Sequence, residues 1–116
     1  MNRIHAFGKE SSEDALGDLD AVGVVNALTD GTVSAREIID AAIARTEAVN
    51  PALNALAYES FAYARARADQ RGVYGGYFDG VPSFIKDNVA VAGMPTMSGT
   101  DAWEPRPAVA DGDFAR

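Results

Sequence analysis

The chain has no cysteine, which removes disulfide scaffolds, thiolate nucleophiles and cysteine-based zinc sites in one step. Histidine is almost as scarce. The single one, His5, lies in a polar stretch with nothing nearby to complete a triad. Positive charge is in short supply too, with 10 Lys and Arg against 17 Asp and Glu and a formal net charge of −7. A nucleic-acid surface relies on clustered cations that displace counterions, and these ten are scattered, so no nucleic-acid partner is expected. Long apolar runs are missing as well. None approaches the roughly 18 residues of a bilayer span, and Met1 to His5 lacks the apolar stretch of a signal peptide. No membrane association and a cytoplasmic location are the expectations. There is no internal repeat and no low-complexity segment.

What is present supports a folded object. Of the 116 residues 47% are hydrophobic, and the length fits one ordinary domain or a part of a larger one. Residues 1–20 form a polar, acid-biased arm in which Glu10, Glu13 and Asp14 read as a solvated charge cluster, with no apolar surroundings to split their pKa values. From Ala21 the pattern turns helical. Ala21, Val22, Val24, Val25 and Leu28 build an apolar face, Asp20 stands at the N-cap position, and Asp30-Gly31 ends the run. Ser34-Ala35-Arg36-Glu37 is a capping box, and the Ile38, Ile39, Ala42, Ile43, Thr46, Val49 spacing predicts a second helix closed by Asn50-Pro51, because the pre-proline position disfavours helix. Leu53 to Tyr58 alternates and reads as a short strand. Ser60 caps a third, alanine-rich helix running through Arg71 to Gly72.

Val73 to Gly80 is a glycine- and tyrosine-rich loop. After it, Val81-Pro82-Ser83-Phe84-Ile85 is apolar on both faces, the pattern of a strand buried on two sides. The chain supplies few partners for such a strand, which implies a partner chain or self-association into a homo-oligomer. Lys86 follows this strand directly. Placed there it is partly desolvated, and burial disfavours the ammonium and frees a neutral amine for proton transfer. Asp87 and Asn88 are positioned to orient it. The alternative is a lysine at a solvent-facing strand end, paired with Asp87 or another carboxylate. Local physics leaves both open.

The stretch from Gly80 to Thr100 resembles the early motif of the amidase signature family. The correspondence runs through Gly80-Val81-Pro82, Lys86-Asp87-Asn88, Val91-Ala92-Gly93-Met94-Pro95-Thr96 and Gly99-Thr100. The helix opened by Ser34, the Asn50-Pro51-Ala52-Leu53-Asn54-Ala55 turn and the alanine-rich helix are similar to the region that precedes this motif, so the resemblance covers about Ala21 to the end. It implies an α/β fold in which residues 21–116 are the N-terminal part of an amidase signature domain, contributing helices and one or two strands to a larger mixed β-sheet. It also implies hydrolysis of a small-molecule carboxylic amide through a Ser-cisSer-Lys triad and an acyl-enzyme, with Lys86 as catalytic base and no metal or organic cofactor.

Neither serine of that relay is identifiable here. The serine-rich catalytic segment, whose backbone amides form the oxyanion hole, lies beyond the equivalent of Arg116, so the isolated chain is expected to be inactive and to need the remaining part of an amidase chain. Ser98 is assigned to turn formation. Trp103, Tyr74, Tyr77 and Phe78 are read as packing residues or the lining of a substrate entrance. Two readings compete with the enzyme. One is an amidase-derived interaction module without catalysis, the other a helix-turn-helix DNA reader built from residues 28–37, whose second helix starts with Ala35-Arg36-Glu37 and is poor in phosphate contacts.

Overall fold

A computed structural model describes residues 13–116. It contains three helices, α1 (Ala21–Asp30), α2 (Ala35–Leu53) and α3 (Phe61–Asp69). The expectations for residues 1–12, among them His5 and Glu10, lie outside the described residues.

The helix starts follow from side chains that satisfy orphan amides. Asp20 accepts from Gly23 N at 2.8 Å and opens α1, and Gly31 closes it by returning its N–H to Ala27. At the start of α2 the capping box is reciprocal: Glu37 N donates to Ser34 Oγ at 3.2 Å, and Ser34 N and Oγ donate to Glu37 Oε2 at 2.8 and 2.7 Å. Beyond its predicted end α2 continues through Pro51 to Leu53. Termination falls to Asn54, whose φ of 48° is the left-handed conformation asparagine tolerates at a helix end.

The described residues divide into two compact units, one made of residues 13–53 with Phe61–Pro82, the other of Asn54–Ser60 with Ser83–Arg116. In the first, Val24, Leu28, Ala35 and Ile38 form the core, with Ala15, Leu16, Val33, Ala68 and Val81 packed against it. Ile38 is completely buried. The α3 helix has no buried residue and lies against α2, tied by Arg36 to Asp69 at 2.7 Å and by Arg65 to Asp40 at 2.7 Å. Gly80 closes this unit's loop. Its φ of +93°, and the 2.9 and 3.1 Å at which an added Cβ would meet Arg71 and Leu28, admit no side chain.

Within the second unit, residues 90–95 run beside 107–112. Ala92 bridges Ala108 and Pro95 bridges Pro107, supported by Gly93 N to Ala108 O, Ala108 N to Met94 O and Gly112 N to Ala90 O, each 2.9 Å. Neither expected strand forms. Leu53 ends a helix and Asn54 to Tyr58 is irregular, while Val81 to Ile85 has no regular structure. A two-sided apolar strand is stable only between neighbours, and no strand is present among the described residues to provide them. No helix among the described residues is long and apolar enough to cross a membrane.

Candidate active site around Lys86

Lys86 opens a lobe that the chain builds out of residues 86–100. Its carbonyl accepts from Asn88 N at 2.7 Å and Val89 N at 3.0 Å, so the backbone turns tightly straight after it. Asp87 then spans the neck of the lobe. Its Oδ1 accepts from Met97 N at 2.8 Å, its Oδ2 from Gly99 N at 3.2 Å, and its carbonyl from Ser98 N at 2.8 Å. Further out, Thr96 Oγ1 donates to Val89 O at 3.4 Å and Met94 N to Val91 O at 3.0 Å. Asp111 Oδ1 receives Ala92 N at 2.8 Å from outside the lobe.

The turn at the neck is left-handed, with φ of 54° at Ser98 and 74° at Gly99. Ser98 thus serves the turn, and the following glycine takes its conformation without steric cost. Asp87 takes a role different from the one its position suggests. Instead of orienting the Lys86 amine it spends both carboxylate oxygens on backbone amides. The available signal was the Ser98-Gly99 dipeptide, a turn former whose successive N–H groups require acceptors.

Lys86 itself is exposed, beside exposed Phe84 and Ile85. This corrects the expectation of a partly desolvated amine: with no strand formed around residues 81–85, nothing in this unit covers the side chain. Nor does it form an ion pair with Asp87, whose carboxylate faces Met97 and Gly99.

Other candidate residues fall elsewhere. Trp103 lines a shallow, open depression with Thr96, Glu104 and Arg106 in the second unit. Tyr74, Tyr77 and Phe78 belong to the first unit, where Arg67 stacks 3.9 Å over the Tyr74 ring and Tyr77 meets Phe78 edge-on at 4.8 Å. Asp14 leaves the solvated cluster assigned to it. It binds Arg45 through both oxygens at 2.6 Å and caps Leu16 and Gly17 N at 3.0 Å. In the segment weighed as a DNA reader, Arg36 is occupied by Asp40 and Asp69.

Comparison with known proteins gives one family match, to the family described as Amidase, over residues 37–116. Among curated proteins the chain is 60% identical over all its 116 residues to a Mycobacterium leprae protein named "Putative amidase AmiC", and 56% identical over the same length to the Mycobacterium tuberculosis protein of that name. It is 40% identical over 88 residues, 71% of the chain, to an indoleacetamide hydrolase of Bradyrhizobium diazoefficiens. The chain spans 24% of the length of either AmiC protein and 17% of the hydrolase. No solved structure gave a significant match.

Proposed function

This chain belongs to the amidase family, and from that premise we propose that it is the lysine-bearing N-terminal quarter of an enzyme that hydrolyses carboxylic amides. Lys86 is its proton-handling residue. The observation that carries the reading is the Lys86-Asp87-Asn88 run set between Gly80-Val81-Pro82 and Gly99-Thr100, inside the span matched by the family.

In this reading a serine hydroxyl supplied by the rest of the amidase chain attacks the amide carbonyl. Its proton passes through a second serine to the Lys86 amine, the leaving amine takes a proton back, and water releases the acid from the acyl-enzyme. This chain contributes the base and the turn that holds it. A lysine in bulk water is an ammonium at neutral pH and no base, so the amine requires cover. The exposed Phe84 and Ile85 next to Lys86 form the apolar surface on which that cover packs. Residues 81–85 become a strand of the larger mixed sheet once neighbouring strands flank them. Burying this surface and drying the amine are then one event.

The test is ammonia release from a panel of primary amides by the full-length protein carrying this sequence. Indole-3-acetamide belongs in the panel, because a relative bears the name indoleacetamide hydrolase. Lys86→Ala is expected to lower kcat by about 10²- to 10⁴-fold, the usual worth of a positioned acid-base group. Lys86→Met keeps the stem packing and should lose as much. Near-native turnover in either variant defeats the assignment.

A further inference from the structure

We propose that Asp87 is the positioning residue of this site, anchoring the Lys86 backbone by filling a nest of three successive amide N–H groups at Met97, Ser98 and Gly99. The inference rests on the reading of Lys86 as the base.

Successive N–H groups in a left-handed turn converge to make a concavity that attracts an anion. Here the φ values of 54° and 74° at Ser98 and Gly99 create that concavity, and Asp87 fills it from within the chain. The outer two N–H groups, on Met97 and Gly99, donate to the two carboxylate oxygens, and the middle one, on Ser98, to the Asp87 carbonyl. A left-handed serine is costly and persists only where its surroundings over-determine it, and three hydrogen bonds to a single residue do so. The consequence falls on the residue before it. The peptide group from Lys86 to Asp87 is held through the Lys86 carbonyl by Asn88 N and Val89 N, and the next peptide group is held through the Asp87 carbonyl by Ser98 N. These two peptide planes flank the Asp87 Cα, and the first of them contains the Lys86 Cα, so the root of the lysine side chain is held relative to the neck of the lobe.

Proton transfer requires the base within hydrogen-bond reach of the hydroxyl, and a displacement on the order of 1 Å can cost about 100-fold in rate. Freeing the neck of the lobe loosens the base of the lysine without touching its amine. In the full-length amidase carrying this sequence, Asp87→Ala is therefore expected to lower kcat by about ten- to a hundredfold, with KM within about threefold and an unchanged far-ultraviolet circular dichroism spectrum. Its kcat/KM profile should move its acid limb to higher pH, because a looser amine is better hydrated and holds its proton more tightly. Asp87→Asn, which keeps one carbonyl acceptor for Met97 N, should fall between the two. Amide hydrogen exchange supplies a readout independent of turnover: the Met97 and Gly99 protons should exchange faster in Asp87→Ala. If Lys86→Ala is inactive while Asp87→Ala keeps native kcat and an unmoved pH profile, the positioning role is overturned and the base assignment stands. If Lys86→Ala is itself active, both fall together.

Discussion

Asp14 owes its electrostatics chiefly to one partner. The Arg45 guanidinium that grips both its oxygens is the main cause that holds its carboxyl below the ordinary value of 3.8, helped by the Leu16 and Gly17 amides and opposed by partial burial. A group whose pKa is depressed on folding contributes stability above its unfolded pKa and loses it as pH falls through the folded value. The chain should therefore weaken as pH drops below about 4. Glu37, depressed by its hydrogen bonds from Ser34, and Asp40, depressed mainly by Arg65, act with the same sign. Asp14→Asn is expected to cost about 1–2 kcal/mol at pH 7 and to shrink the difference between urea unfolding at pH 7 and pH 3. An undiminished difference would assign the acid sensitivity to other carboxylates. None of this was legible in the polar arm, because the pair joins residues 31 apart in sequence; the capping role of Asp20 was legible, because its partner is three residues away.

Among the elements, the helices are dictated locally and the strands are not. The starts of α1 and α2 are set by side chains within one turn of them, which is why the Asp20 cap and the Ser34-Glu37 box can be read from spacing alone. Truncating Ser34→Ala should destabilise the chain by about 1 kcal/mol, and Ile38→Ala, which empties a fully buried site, by about 2–5 kcal/mol. Comparable losses for the two in thermal melts would mean that α2 is held by its cap and not by its core face. The end of α2 was harder to read. Pro51 is accommodated inside the helix, and the stop is the left-handed Asn54. The alternating run after it and the apolar run at 81–85 carry strand patterns, but a strand is a pairing between segments, and the described residues furnish only isolated bridges.

At the scale of the whole molecule the buried side chains are unevenly shared. Val24, Val25, Leu28, Ala35, Ile38, Ala41 and Ile43 all belong to the first unit, whereas the second is held by hydrogen bonds among its turns, with Phe84, Trp103, Val109 and Phe114 exposed. Local stability follows buried apolar contact. In the 116-residue chain the amides of Gly93, Met97 and Ala108 should thus exchange much faster than those of Val25 or Ile38, although all are hydrogen-bonded. Equal protection would show that the second unit has stability the buried surface does not account for. Adding the remaining part of an amidase chain should slow exchange through residues 84–100, since it would cover Phe84 and Ile85.

The amino-acid sequence by itself determined the helices, the caps that open α1 and α2, and the motif that ties residues 80–100 to the amidase family, because capping and turn chemistry act over three or four residues and a motif is read in order. Only the tertiary structure decided where Asp14 and Asp87 direct their carboxylates, and that Lys86 stands exposed in this chain. Those outcomes depend on which amides and guanidinium groups arrive from 10 to 31 positions away, and distance along the chain does not encode approach in space.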